Sequence, residues 1–411
     1  MKEQPNEEGE IKISSEIATF VNHVTAIYYV MGGLVPTIEV LKKKANDNLK
    51  DIEKNKLEKR SENGEERMYV PQIYYREWRD AVSANEHFRL AGKLLPRSLL
   101  VSLISQYDAY LGRLLRSILI KRPEILNSSE KKFSFEQLFQ FDSIKLAREH
   151  ILEKEIESIL RSSHSEQIKS IEKMLEIPLT KGLDVWPQFI EATERRNLFV
   201  HTNGFVSSQY LSVCRANKCS IEPEIKEGSL LEIDLDYFEL AKNCIIEIGI
   251  KLGHVVWRKI LEDEIEESDD SLIEVSYEMI NSEDYSIAER ILDFACETLK
   301  KHSSEHKKLV LLVNRAQCYK WNGKKDVCEK ILRSVDWSAK GDEFKISNAV
   351  LTENWGDAVK MMKRIGKSGP ISKFFYKEWP LFKEFRQQPC FIEAYKEIFE
   401  EEFSAQESEA K

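Results

Sequence analysis

The feature that most constrains the fold of this chain is a long apolar stripe at helical spacing between residues 84 and 121. The stripe comprises Leu99, Leu100, Leu103, Ile104, Tyr107, Tyr110, Leu111, Leu114, Leu115 and Ile118. Side chains three and four positions apart lie on one face of an α-helix. The width of the stripe predicts a helix that is packed on more than one side, with Pro96 near its start.

The composition extends this expectation to the whole chain. Only 16 of the 411 residues are glycine and 11 are proline, while 32% are charged. Few helix breakers and many good helix formers predict an all-α fold, and the length predicts two or three domains. The net charge of −9 argues against a protein whose whole surface binds nucleic acid, although a local basic cleft remains compatible with it.

Several classes of protein are disfavoured by what the sequence lacks. The seven cysteines are scattered without a CxxC pair, which predicts reduced thiols and no zinc site. P-loop, GxGxxG and HExxH patterns are absent, so we expect no cofactor and no metal. The most apolar stretch, residues 20–36, is interrupted by Gly32 and Gly33 and is too short for a membrane span. We therefore predict a cytoplasmic protein.

The pattern along the chain predicts four segments. Residues 1–85 form an N-terminal helical extension, in which one helix ends at Gly32-Gly33, a second runs over 36–59, and a loop covers 61–66. Residues 86–263 form a helical domain, 264–271 an acidic linker, and 272–411 a domain of helical repeats. The charged run within the second helix is interpreted as a solvated face, with an RNA-contacting stripe as the alternative.

Short polar turns recur in the C-terminal segment about every 35 residues. They include Asp284-Tyr285, Asn322-Gly323 and Asn354-Trp355. A helix pair repeated at that period is typical of an α-solenoid, here either tetratricopeptide-like or built of generic α-hairpins. We expect such repeats to bind a protein partner or a trigger. The basic run 300–308 is either a loop between helices or an extension of an RNA-binding surface.

The block of residues 191–204, with the sequence EATERRNLFVHTNG, carries the candidate chemistry. A helix is predicted over 186–203, ended by Gly204. Asn197 and His201 are one turn apart on the same face, which the sequence predicts to be largely apolar and packed. Arg196 lies about 140° around the helix from His201.

This block resembles the signature of the HEPN superfamily, R-N-x3-H near the end of a helix. Arg196, Asn197 and His201 match the signature, and Asp108 matches an acidic position of an earlier helix. The resemblance covers residues 86–262. It implies a helical bundle and a metal-independent endoribonuclease, in which two protomers pair so that both motifs face one cleft. It further implies products with 2′,3′-cyclic phosphate ends and a role as a bacterial toxin or phage-defence effector.

The residue types suit this chemistry. Histidine can transfer a proton to or from the RNA near neutral pH, and arginine can stabilise the charge of a phosphorane-like transition state. Asn197 would orient His201 or bind the phosphate, and Glu194 would orient the arginine or the histidine. Arg195 is interpreted as a surface or phosphate-steering residue.

Each assignment has a structural alternative. His201 would then be a histidine satisfied within a packed face, Arg196 a salt bridge at a dimer interface, and Asp108 a hydrogen bond between helices. The sequence also departs from HEPN toxins that are silenced by nucleotidyltransferase partners, because Asn203 stands where those toxins have tyrosine. The competing function is a non-catalytic interaction or sensor module, or the neutralising half of a two-gene system.

Overall fold

A computed structural model of the protein describes residues 12–62, 65–128 and 134–403. The fold is all-α, as predicted, and one two-stranded hairpin is the only sheet among the described residues. The chain forms two compact units, one up to Leu252 and one from Gly253 onwards. The sequence had instead placed boundaries after residues 85 and 263.

The first unit begins with two long helices that pack against each other, α1 (Ile13–Lys56) and α2 (Tyr75–Lys121). Strands β1 (Glu58–Glu62) and β2 (Glu65–Tyr69) follow α1 and precede α2 in the sequence, and they pair antiparallel. The predicted loop at 61–66 therefore falls within this hairpin, and its Asn63-Gly64 pair lies outside the described residues.

The predicted helix end at Gly32-Gly33 is wrong, because α1 continues through both glycines and through Pro36. The hydroxyl of Thr37 donates to the carbonyl oxygen of Gly33 at 2.8 Å, next to the carbonyl of Gly32 that the proline cannot bond. Packing against α2 stabilises α1 beyond its local helix propensity. Among the described residues, α1 is the one helix whose length and composition would allow it to cross a membrane.

Helix α2 also begins earlier than predicted, so Pro96 lies inside it and not near its start. The residues of its stripe are buried, except for the half-buried Leu99, and Tyr107 and Tyr110 are fully covered. The Tyr110 hydroxyl donates to the carbonyl oxygen of Gly249 at 3.0 Å. The wide stripe thus supplies the core around which the shorter helices of this unit pack.

The remaining helices of the first unit follow in sequence. They are α3 (Phe135–Leu138), α4 (Ile144–Leu160), α5 (His164–Leu175), α6 (Trp186–His201), α7 (Ser208–Ala216) and α8 (Leu235–Ile260). Asp234 caps α8, since its Oδ1 accepts from the backbone N–H of Tyr237 at 2.7 Å. The division between the two units falls within the residue range of α8.

The second unit contains three helical hairpins and a closing segment. The hairpins are α9 (Ile265–Asn281) with α10 (Tyr285–Asp293), α11 (Glu305–Trp321) with α12 (Lys325–Arg333), and α13 (Asp342–Leu351) with α14 (Trp355–Ile365). A π-helical turn, Phe294–Thr298, extends α10. Helices α15 (Lys373–Glu378) and α16 (Pro389–Phe399) close the unit.

The three hairpins share one turn geometry. Glu283, Gly323 and Glu353 each adopt a positive φ, of 61°, 76° and 60°. The next residue in each turn donates its backbone N–H to a carbonyl five positions earlier, at 2.8 to 2.9 Å. Residues with positive φ end helices by satisfying their last carbonyls. The recurring polar turns of the sequence therefore correspond to recurring helix ends.

The acidic segment 264–271 is not a linker, because it forms the first two turns of α9. Asp269 is fully buried and accepts hydrogen bonds from Arg258, from His302 at 2.9 Å and from the backbone and hydroxyl of Ser303. A buried carboxylate with several donors is stable in a helix. The composition of the segment alone suggests a linker, because the partners of Asp269 lie outside the segment.

Candidate functional site

Helix α6 carries the motif and ends immediately after it. The backbone N–H groups of Thr202 and Gly204 both donate to the carbonyl oxygen of Leu198, at 2.9 and 3.0 Å. Asn203 has φ 55° and Gly204 has φ 91°, which is the left-handed region expected after a helix end. A Cβ at Gly204 would lie 3.1 Å from the ring of Phe199. The glycine therefore fixes the helix end one turn after Asn197.

A cavity of about 580 Å³ opens beside this helix end. Its walls come from α2, the turn between α4 and α5, the last turns of α6, and the start of α7. The lining side chains are Asp108, Leu160, Arg161, Ser162, Ser163, His164, Gln167, Glu194, Arg196, Asn197, Leu198, His201, Thr202, Ser207, Gln209 and Tyr210. Five of the six predicted site residues thus line one cavity, and Arg195 does not.

Asp108 is the centre of a polar cluster in this cavity. Its Oδ2 accepts from Nη2 of Arg196 at 3.4 Å, and its Oδ1 lies 3.1 Å from Nε2 of His164. A carboxylate oxygen only accepts hydrogen bonds, so this contact is a hydrogen bond in the forms of His164 that carry a proton on Nε2. The guanidinium of Arg196 and the imidazole of His164 therefore contact different oxygens of the Asp108 carboxylate.

Arg196 is also tied to its own helix. Its Nη1 donates to Oδ1 of Asn197 at 3.1 Å, and Nδ2 of Asn197 lies 3.5 Å from Oε1 of Glu194. Burial raises the pKa of Glu194, although the nearby His164 and the contact with Asn197 act in the opposite direction. The Nε of Arg196 is buried and has no hydrogen-bond partner among the described residues, so one donor of this cation remains unsatisfied.

His201 differs from these residues because its side chain is exposed. Within the described part of the chain, its imidazole makes no hydrogen bond, and it lies at the end of α6 on the cavity wall. The neighbouring Val200 is 51% exposed. The prediction that Asn197 and His201 share a packed apolar face is therefore wrong at the last turn, where the helix leaves the core. An exposed imidazole is free to exchange protons with a ligand.

Arg196 and His201 reach the same cavity despite their angular separation on the helix. The backbone geometry predicted about 140° between them, and both side chains nonetheless line the cavity of a single chain. The long side chain of Arg196 spans the difference, because Asp108 on α2 draws its guanidinium towards the cavity. Proximity of the two groups thus does not require a second subunit.

Arg195 takes part in a separate buried network. Its Nε donates to Oε1 of Glu191 at 2.7 Å, and the hydroxyls of Tyr210 and Tyr237 donate to the same carboxylate, each at 2.7 Å. The guanidinium also lies 3.9 Å from the centre of the Tyr237 ring. Burial lowers the pKa of Arg195, but Tyr237 and Glu191 raise it by more.

The prediction for Arg195 as a surface or phosphate-steering residue is accordingly wrong. Its side chain is largely buried and joins α6 to α7 and α8 through Glu191. Adjacent arginines on a helix point about 100° apart, so the first one faces the core and the second one faces the cavity.

His164 is the site residue that the sequence did not reveal. It is only 4% exposed, and its ring packs edge-on against Phe189 with centroids 5.7 Å apart. Its Nδ1 is buried without a hydrogen-bond partner among the described residues. The contact with Asp108 spans 56 positions, and no motif around residue 164 signals it. The described residues contain no group of three or more acidic, histidine or cysteine side chains that could hold a metal ion.

Comparisons of the chain with protein family models, with curated proteins and with solved structures found no match.

Proposed function

We propose that this protein is a metal-independent endoribonuclease of HEPN type. The observation that carries the proposal is the meeting of Arg196, Asn197 and His201 in one cavity, with Asp108 holding the arginine. Histidine and arginine together supply a proton-transfer group and a fixed cation, which is what cleavage of an RNA phosphodiester requires.

The reaction we propose is an internal transfer at phosphorus. The 2′-hydroxyl of the RNA attacks the adjacent phosphorus, the bond to the 5′-oxygen breaks, and the products are a 2′,3′-cyclic phosphate and a 5′-hydroxyl. His201 accepts the proton of the 2′-hydroxyl or donates one to the departing oxygen. Arg196 binds the non-bridging oxygens as their negative charge increases.

The exposure of His201 and the anchoring of Arg196 support this division of roles. A group that exchanges protons with the substrate needs access to it, whereas a cation that stabilises charge acts best from a fixed position. The two proton transfers at the attacking and departing oxygens need two groups. In a homodimer, His201 of each chain would supply one of them, which is why we retain the dimer as part of the proposal.

The direct experiment compares purified wild type and His201→Ala for cleavage of total RNA in the presence of EDTA. We expect the variant to be slower by about 100-fold or more, because general acid–base catalysis contributes on that order. His87→Ala is the matched control, since His87 is an exposed histidine of α2 outside the cavity. Equal cleavage by the wild type and by His201→Ala would overturn the assignment of His201.

Growth provides a second readout for the regulated, toxin-like role that we propose by analogy. Induced expression of the wild type should arrest bacterial growth, and His201→Ala should not. Arrest by both proteins would separate toxicity from the nuclease site.

A non-catalytic interaction module is the second candidate. It is favoured by the engagement of Arg196 with Asp108 and Asn197, because an internal ion pair can serve packing alone. The hairpins of the second unit would then bind a partner. Absence of RNA cleavage by the wild type, with retained folding, would favour this candidate.

A further inference from the structure

The second unit contains a pocket of about 540 Å³ that shares no lining residue with the cavity beside α6. It is formed by the first helix of each hairpin, α9, α11 and α13, and by residues 370–379. Its lining residues are Asp270, Ile273, Glu274, Tyr277, His306, Val310, Val313, Asn314, Glu343, Phe344, Ser347, Pro370, Ile371, Phe375 and Trp379. Pockets of this size accommodate small organic molecules.

One part of the pocket lining is apolar and aromatic. Phe375 and Trp379 meet edge to face with ring centroids 6.2 Å apart, and Phe344 and Ile371 line the same space. Such walls favour a hydrocarbon or aromatic body. Aromatic ring faces also attract a cation that lies over them.

The charged side chains of the pocket are predominantly acidic. Asp270, Glu274 and Glu343 line it, and His306 is the one basic side chain among the described lining residues. Asp270 is paired with Lys307, and Glu343 lies 3.8 Å from His306. Glu274 makes no ion pair or hydrogen bond with any described side chain. A bound cation would therefore gain a carboxylate that the protein leaves uncompensated.

Asn314 provides an independent indication of a ligand. It is 2% exposed and lines the pocket, yet its side-chain amide forms no hydrogen bond within the described residues. Buried polar side chains are nearly always hydrogen-bonded. An amide left without a partner at the wall of a pocket is typical of a position where a ligand completes the bonding.

We infer that this pocket binds a free small organic cation, namely an amine or guanidine carried on an apolar or aromatic body. The cationic group lies near Glu274 and donates to the amide oxygen of Asn314. The apolar body packs against Phe375 and Trp379. This inference concerns the second unit alone and does not depend on the proposed nuclease activity.

The volume of the pocket, about 540 Å³, favours a small molecule over a protein segment, because it lies within the range of small-molecule sites. An extended peptide would instead lie along a longer groove. We therefore treat a peptide as the competing outcome of the test.

The experiment measures binding to the full-length protein by calorimetry at pH 7 with three matched probes. Phenylbutylamine is the cation, phenylbutanol is its neutral analogue, and phenylbutanoate is its anionic analogue. We expect the amine to bind with a Kd at or below about 1 mM, the alcohol at least tenfold more weakly, and the acid not measurably. Spermidine, a cation without an apolar body, should also bind at least tenfold more weakly than phenylbutylamine.

Variants of two pocket residues test whether the amine binds in this pocket. Glu274→Gln should weaken binding of the amine at least fivefold and leave binding of the alcohol unchanged. Glu278→Gln is the control, because Glu278 is an exposed carboxylate one turn along α9 that does not line the pocket. Asn314→Leu should also weaken the amine, and the exposed position of Glu274 keeps the test valid should the buried Asn314 variant fail to fold.

Three results would overturn the inference. One is equal affinity for the amine and the alcohol, which would show that the positive charge does not contribute to binding. Another is an equal effect of Glu274→Gln and Glu278→Gln, which would show that the amine does not bind in this pocket. The third is a peptide containing lysine and phenylalanine that binds tenfold more tightly than phenylbutylamine, which assigns the pocket to a protein ligand.

Discussion

Asp108 and Arg196 are 88 positions apart in the sequence, and Nη2 of the arginine donates to Oδ2 of the aspartate at 3.4 Å. The contact joins α2, the longest helix among the described residues, to the helix that carries the motif. It also determines where the guanidinium lies, because Arg196 would otherwise project away from His201. The position of the Arg196 guanidinium in the cavity thus depends on one half-buried carboxylate.

Asp108→Asn should separate the contribution of this contact to RNA cleavage from its contribution to stability. The amide removes the negative charge and turns one oxygen into a donor that faces either Arg196 or His164. We expect RNA cleavage to fall at least about tenfold, because the arginine is no longer held in place, and stability to fall by about 1–2 kcal/mol. Cleavage assays and urea denaturation measure the two effects. Asp80→Asn, an exposed ion-pair residue of the same helix, should change stability by less than about 0.5 kcal/mol.

The adjacent arginines provide a paired test. Arg195→Lys should destabilise the protein by about 1–3 kcal/mol, because lysine cannot both donate as Nε does and stack on Tyr237. Cleavage per folded molecule should be unchanged. Arg196→Lys should have little effect on stability and should slow cleavage about 10–100-fold. The reverse pattern in denaturation and cleavage assays would show that the two positions have been assigned to the wrong roles.

Gly204→Ala tests how the end of α6 is fixed. The substitution places a Cβ at φ 91°, 3.1 Å from the Phe199 ring and 3.2 Å from the carbonyl oxygen of Leu231. We expect a loss of about 2–3 kcal/mol, combining backbone strain and crowding. Gly182→Ala is the control, since Gly182 has φ 80° and open space around its Cα, so only the backbone term of about 1 kcal/mol applies. If both variants lose the same free energy of unfolding in thermal or denaturant experiments, crowding at Gly204 does not contribute.

The stability of the second unit should depend on pH through His254. Burial lowers the pKa of this fully covered histidine to about 3, and the charge of Arg258 adds to the effect. Since the unfolded chain takes up the proton near pH 6.5 and the folded unit does not, stability should fall as the pH decreases from about 6.5 towards 3. Between pH 7 and 5 the loss from this group is about 2 kcal/mol.

His254→Asn serves as the comparison for this prediction. Asparagine can retain a hydrogen bond to Ser268, which now lies 2.9 Å from Nδ1 of the histidine, but it does not titrate. The variant should start less stable at pH 7 and lose less stability on acidification, as followed by tryptophan fluorescence during denaturation. Parallel pH profiles for the two proteins would contradict the prediction.

The sequence predicted elements well where periodicity and end signals coincide. Helix α6 was predicted over 186–203 and spans Trp186–His201, because its apolar spacing and its terminal glycine are local signals. The paired helices of the second unit were predicted for the same reason. The end of α1 was mispredicted because local breakers at Gly32, Gly33 and Pro36 were weighed without the packing of α2, which offsets their cost.

The candidate site was predicted only in part. Asp108 was found through resemblance, and its contact with Arg196 follows from the fold. His164 was missed because its role depends on a partner 56 positions away. Arg195 was misassigned because Glu191, four positions earlier, is buried, and the sequence gives no signal that this glutamate faces the core rather than solvent. Contacts between distant segments decide these cases, and a single sequence does not record them.

The most direct test of the account is an analysis of the RNA ends produced by the purified wild type in EDTA. We predict 2′,3′-cyclic phosphate and 5′-hydroxyl ends, no cleavage of DNA of the same sequence, and loss of these products with His201→Ala and Arg196→Ala but not with His87→Ala. Products with 5′-phosphate ends, or cleavage that persists in both site variants, would show that Arg196 and His201 do not form the proposed ribonuclease site.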